Sequence, residues 1–114
     1  IRFVPIKGLV ERVRMIKEPV ELRRIRTAVK IAEDVIEKIK KFIKINAGIS
    51  EFALSEVIKS WIKANPHTGL SFEPITAFGK NASMPHAGLS EKRKLQAGMI
   101  VLIDLGARYN GYCS

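Results

Sequence analysis

The sequence predicts an α+β fold in which two amphipathic helices pack on an antiparallel sheet. Three observations carry this expectation. Apolar residues recur at steps of three and four over 19–44 and again over 52–62, the period of a helix with one buried face. From residue 71 the pattern changes to β-branched and aromatic runs, SFEPITAFG and MIVLIDLGARYNGYCS, which are strand-like. Helices come first and strands last, an order that places helices on one face of an antiparallel sheet instead of alternating them along a parallel one.

Residues 1–16, IRFVPIKGLVERVRMI, mix Pro5 and Gly8 with alternating apolar positions and predict a short strand, a turn and a connecting strand. The first long helix places Leu22, Ile25, Val29, Ala32, Ile36, Ile39 and Ile43 on one face. Pro19 suits its first turn, where a missing N–H costs nothing, and Asn46-Ala47-Gly48 ends it. Ser50 caps a second helix, with Glu51 favouring its dipole in the first turn, and Phe52, Leu54, Val57, Ile58, Trp61 and Ile62 form its apolar face. Asn65-Pro66 closes that helix, and KNASMPHAGLSEKRKLQAG reads as a long polar loop between the strand-like segments.

With 114 residues, 46% hydrophobic and 27% charged, the chain has the composition of one small globular domain. Its longest apolar run, 99–103, is far short of the roughly 20 residues a bilayer-spanning helix needs. The single cysteine, Cys113, excludes an intrachain disulfide and suits a reducing, cytoplasmic compartment. Of the net charge of +9, residues 1–44 supply +7, from 13 Lys/Arg against 6 Asp/Glu. A basic helix face of this kind can meet phosphates, but a solvated face is the commoner reason for one, so nucleic acid is not the expected partner.

The closing segment carries the first chemical signal. Asn110-Gly111 predicts a two-residue hairpin turn, pairing Tyr109 with Tyr112, Arg108 with Cys113 and Ala107 with Ser114. Asp104 lies five residues before Tyr109 and faces away from the tyrosine pair. A residue at the following position, 115, would face the same way, diagonally across the ladder at roughly 7–8 Å. Two acids so placed converge on a hard divalent cation. Cys113 is expected to be structural and to face away from Asp104. Phe72, Ile75 and Phe78 are candidate pocket or core residues, and His67 carries no assigned role.

Two spaced elements, F-x-x-I-x-A-x-G-x-N-A-x-x-P-H over 72–86 and I-D-x-G-A-x-Y-x-G-Y-C-S over 103–114, carry a resemblance. Together with the helical segment before them they resemble the first half of the catalytic domain of the Xaa-Pro dipeptidases, or prolidases, of the pita-bread superfamily. That superfamily also holds aminopeptidase P, methionine aminopeptidase and creatinase. The resemblance covers 14–114 and implies that 1–13 is the end of a preceding N-terminal domain or a linker. It implies a peptidase that cleaves Xaa-Pro bonds with metal-activated hydroxide and two divalent ions (Mn, Co or Zn), held by two Asp, one His and two Glu.

Asp104 matches the first of those ligands, the second Asp falls at position 115, and the others lie further on. His86 matches a histidine of the substrate site that contacts the scissile region, and Phe72, as a wall of the pocket, is the other substrate-binding candidate. Also implied are a homodimer, a catalytic domain completed by further chain, and no activity from these 114 residues alone. An Xaa-Pro aminopeptidase is the alternative within the fold. Outside it stands a non-catalytic binding module that uses the basic helix.

Overall fold

The computed structural model describes residues 4–84 and 86–114. Three helices lead, α1 (Leu9–Met15), α2 (Pro19–Ile45) and α3 (Glu51–Ile62), followed by β1 (Thr68–Leu70) and β2 (Ile75–Phe78). A 3-10 turn (Gly79–Ser83) and a long loop then lead to β3 (Val101–Asp104), β4 (Ala107–Tyr109) and β5 (Tyr112–Cys113). All strand pairing is antiparallel, in a three-stranded sheet ordered β1-β4-β5 and a two-stranded sheet of β2 and β3. Among the described residues no helix is long and apolar enough to cross a membrane.

The helical content differs from the expectation at the N-terminal end. Where residues 1–16 predicted strand, turn and strand, Leu9–Met15 is helical, started by Gly8 at φ 77°; residues 1–3 of that prediction lie outside the described residues. Leu9, Val10 and Val13 read equally as alternating or helically spaced, and none of α1 is buried, so the good helix formers Leu, Glu, Arg and Met decide the outcome.

The long helix forms as expected, but its buried stripe is rotated. Ala28, Ala32, Val35 and Ile39 face inward, while Leu22, Val29 and Ile36 each remain 40% exposed. The two alanines let β4 and β5 pack closely against α2. Its C-terminus is closed by Asn46, whose Nδ2 donates to Phe42 O at 2.8 Å, and Gly48 takes the left-handed conformation two residues later, at φ 88°.

Ser50 caps α3 by accepting from the Ala53 N–H at 3.1 Å. Leu54, Ile58 and Ile62 are fully buried and meet Val35 and Ile39 of α2, Phe78 of β2 and Ala107 of β4 in one core. Trp61 packs at the margin of that core with its ring edge-on to Phe42, centroids 5.4 Å apart. Phe52, expected on the apolar face, is 41% exposed. The inward position beside it belongs to Glu51, which is completely buried. At the far end of α3, Lys59 bridges Glu56 at 2.8 Å and Glu73 at 2.6 Å, and these carboxylates hold its ammonium above the usual lysine range.

The C-terminal hairpin has the predicted turn, with Asn110 at φ 46° and Gly111 at φ 85°. Two of the three expected pairs form as ladder partners, and Ser114 closes the third position by donating its N–H to Ala107 O at 2.8 Å. Tyr112 fastens the hairpin to α2. Its hydroxyl donates to Glu21 Oε1 at 2.8 Å, and the Arg24 guanidinium lies over its ring at 5.5 Å. The Glu21 carboxyl sits below its ordinary range, first because it accepts from the Glu18 N–H and then because of Tyr112, while the Tyr112 phenol is raised by its bond to Glu21. Strand β1, which the Gly-containing stretch after His67 did not announce, adds to the other edge of β4.

Candidate active site

Val101, Ile103, Leu105 and Ala107 all pack toward the helices, so inward and outward positions alternate without interruption from β3 into β4. Asp104 falls on the outward side, at the C-terminal end of β3, opposite Ile75 of β2, and it is exposed. None of the ion pairs among the described residues uses it. The same alternation corrects the placement of Cys113. Arg108 is in step with Asp104 and pairs with Cys113, so Cys113 shares the Asp104 face, whereas Tyr112 turns to α2. Counting residues across the hairpin turn reverses parity, which is why the linear count misled.

Gly106, two residues beyond Asp104, is the most tightly pressed of the glycines. A Cβ there would collide with Ser71 Oγ and come within 2.8 Å of Phe72 Cε1. The Ser71 N–H donates to Gly106 O at 3.0 Å, so the bend before β2 is laid directly on the link between β3 and β4. Phe72 therefore stands beside the Asp104 strand end, with 43% of its surface exposed, while Phe78 is wholly committed to the core.

His86 is exposed and lies in the loop after the 3-10 turn; Pro85, which precedes it, is outside the described residues. Its neighbour Ala87 is buried and donates its N–H to Met84 O at 3.3 Å. Further along, this loop is firmly held. The Gly48 N–H donates to Leu95 O and the Leu95 N–H to Ile49 O, both at 2.9 Å, with a bridge between Ser50 and Lys94. His67 lies apart in the loop before β1 at φ 64°, its carbonyl accepting from the Asn110 N–H.

Among the described residues no group of three or more His, Cys, Asp or Glu stands close enough to hold a metal ion. The chemistry of Asp104 still suits one: an exposed carboxylate, fixed on a strand end and paired with no cation among the described residues, can offer oxygen to a hard divalent ion. It amounts to one ligand of a set.

The residues the sequence reading passed over are Glu51 and its partners. Glu51 was expected to serve the helix dipole alone, yet its side chain is met by Phe78 N–H, Asn81 Nδ2, Ser90 N–H and Arg93 Nε. Asn81 was legible as part of the spaced element ending at His86, but nothing local marks its partner.

The profile of metallopeptidase family M24 matches residues 23–114, and the chain belongs to that family. Its structure superposes on an Xaa-Pro dipeptidase from Bacillus anthracis with a TM-score of 0.86 and 37% identity, over 98% of this chain and 31% of that one. An X-Pro aminopeptidase from Thermotoga maritima gives a TM-score of 0.85 at 27% identity, over 99% and 31%. Among curated relatives, an uncharacterized peptidase of Bacillus subtilis is 36% identical over 112 residues, 98% of this chain. The chain spans 31% of that relative's length. The arrangement of helices and antiparallel strands thus matches part of the pita-bread fold.

Proposed function

We propose that this chain is the N-terminal half of the catalytic domain of an Xaa-Pro dipeptidase, with 14–114 in that domain and 1–13 ending a preceding domain or linker. The observation that carries the reading is the superposition on the Bacillus anthracis Xaa-Pro dipeptidase across 98% of the chain, a span that includes the segments of Phe72, His86 and Asp104. The partner that completes the site is the remainder of the same catalytic domain, and the assembled protein is a cytoplasmic homodimer.

In this reading Asp104 is one carboxylate ligand of a pair of divalent ions (Mn, Co or Zn), the other ligands coming from further chain. When bound, the ions supply activation of water and polarisation of the scissile carbonyl. His86 donates a ring N–H to the substrate, stabilising charge that develops on the carbonyl oxygen or holding the terminal carboxylate. Phe72 offers an apolar ring edge to the proline side of the substrate. An Xaa-Pro amide has no N–H, so a site that makes no demand for that donor accepts a bond other peptidases reject.

The test is hydrolysis of an Xaa-Pro dipeptide by the complete protein, before and after chelation and metal readdition, alongside the 114-residue chain alone. Activity that needs divalent metal, falls about 100-fold in His86→Ala and is absent from the short chain supports the reading. Robust metal-dependent cleavage by the short chain alone overturns it. The aminopeptidase alternative has the Thermotoga maritima superposition in its favour, and a preference for tripeptides and longer substrates over dipeptides would select it.

A further inference from the structure

The first residue of α3 buries a carboxylate completely, an expensive placement unless every oxygen finds a partner. Glu51 Oε1 accepts from the Phe78 N–H at 2.8 Å and from Asn81 Nδ2 at 3.0 Å. Oε2 accepts from Asn81 Nδ2 at 2.9 Å and from the Ser90 N–H at 3.2 Å, and Arg93 Nε lies 3.3 Å from Oε1. The backbone of the same residue is also engaged, its N–H donating to Arg93 O at 3.3 Å and its C=O accepting from Thr76 Oγ1 at 2.6 Å.

A helix start does not require this. An exposed acid in the first turn interacts with the dipole without desolvation. What distinguishes Glu51 is where its donors lie in the chain: Phe78 and Asn81 precede His86, and Ser90 and Arg93 follow it. Asn81 Nδ2 adds a bond to Gly88 O at 3.3 Å, tying the two limbs to each other. Of the residues between, Ser83, Met84, His86 and Gly88 are exposed and Ala87 is the one buried among those described, so this stretch packs few side chains of its own to select one conformation. The strand that brings Phe78 to Glu51 is β2, and at its other end β2 pairs Ile75 with Asp104.

We propose that Glu51 is a positioning residue: it draws both limbs of the 79–93 loop onto the start of α3 and so sets His86 in a fixed relation to the Asp104 strand. The inference rests on the proposed role of His86 in the peptidase. Its own content is mechanical, namely that the carboxylate and not the helix start determines where the imidazole sits. Gln at this position keeps the shape and one acceptor but turns an NH2 group toward donors, so at least one of the four donor groups loses its acceptor.

The experiment uses the complete protein and Glu51→Gln, with kcat and KM for an Xaa-Pro dipeptide measured well below the unfolding transition. Alongside these, the ring resonance of His86 is followed in isotope-labelled protein, assigned as the signal missing from His86→Ala. We expect kcat to fall about 10- to 100-fold with KM changed less than about threefold, as for a catalytic group displaced by an ångström or so. The His86 signal should shift or broaden, and Glu51→Asp, which keeps a carboxylate, should recover part of both. A Glu51→Gln protein with wild-type kcat and an unmoved His86 signal overturns the proposal. So does a loss of activity that follows only the unfolded fraction.

If Glu51→Gln does not fold, Asn81→Ala removes the amide that spans both oxygens and is read by the same criteria. Should His86→Ala keep full activity, the role given to His86 fails, and the ring signal alone still decides whether Glu51 holds the loop. With His86→Ala inactive and Glu51→Gln silent, only the positioning claim falls.

Discussion

Replacing Gly106 by alanine tests the close approach that sets Phe72 beside Asp104. The added methyl would overlap Ser71 Oγ, approach Phe72 Cε1 to 2.8 Å and Ser71 Cβ to 3.3 Å. Phe72 is exposed enough for its ring to swing aside, but Ser71 is pinned, because its N–H donates to Gly106 O. The strain therefore falls on the backbone junction, and a cost of about 1–3 kcal/mol is expected, as for overpacking elsewhere. Ser71 Oγ is buried with no hydrogen-bond partner among the described residues, so Ser71→Ala should be neutral or stabilising. Removing that oxygen also clears the worst overlap. The double variant should thus recover at least half of the Gly106→Ala loss, a coupling of about 1 kcal/mol between the two sites. Urea unfolding of the four proteins at constant m-value measures this, and each kcal/mol corresponds to about 4–8 °C in Tm for a domain near this size. Strictly additive effects, or a Ser71→Ala that destabilises by more than about 1 kcal/mol, would refute the reasoning.

Ile58→Ala, which empties a fully buried site between α2, α3 and β2, should cost about 2–5 kcal/mol in the same assay. Ser50→Ala, which leaves the Ala53 N–H without its acceptor, should cost about 1 kcal/mol and make α3 fray from its start in amide exchange. The Tyr112–Glu21 bond should stabilise the fold only across a middle pH range. The folded carboxyl is depressed, so its contribution is present above the unfolded value and lost as pH falls through the folded one; the phenol is raised, so its contribution holds below the unfolded tyrosine value and is lost as pH climbs past the folded one. The stability difference between wild type and Tyr112→Phe should accordingly be flat near neutrality and shrink at both extremes. Asp104→Asn in the complete protein should weaken divalent-metal affinity with little effect on Tm, since the side chain is exposed and joins none of the ion pairs among the described residues.

What could be read from the sequence follows from how local its cause is. The span of α2, the Ser50 cap and the Asn110-Gly111 turn depend on neighbours within a few residues, and each stands where the pattern put it. The rotation of the α2 stripe toward Ala28 and Ala32 depends on how closely β4 and β5 approach, which periodicity does not encode. The helix at Leu9–Met15 lacks a buried face, and without one a seven-residue segment gives strand and helix readings of equal weight. The positions of His86, Phe72 and Asp104 came from spaced motifs. The burial of Glu51 did not, because its donors are 27 to 42 residues away and an acid after a capping serine is ordinarily solvent-facing.

The strand pairings also set an order of assembly. Thr68 must find Tyr109, 41 residues further on, whereas Phe78 and Val101 are separated by 23. Taken alone, the longer closure costs only about 0.5 kcal/mol more entropy. Once β2 and β3 are in register, however, Leu70 is five residues from Ile75 and Ala107 three from Asp104, so the remaining gap is a short one and β1 closes onto β4 at little further cost. The helical pair, joined by a five-residue link, can form independently of both. Folding rate should therefore respond most to substitutions in Thr76–Ala77 and Leu102–Ile103, and a slip of one residue there would misplace every later pair, turning the Asp104 carboxylate into the core.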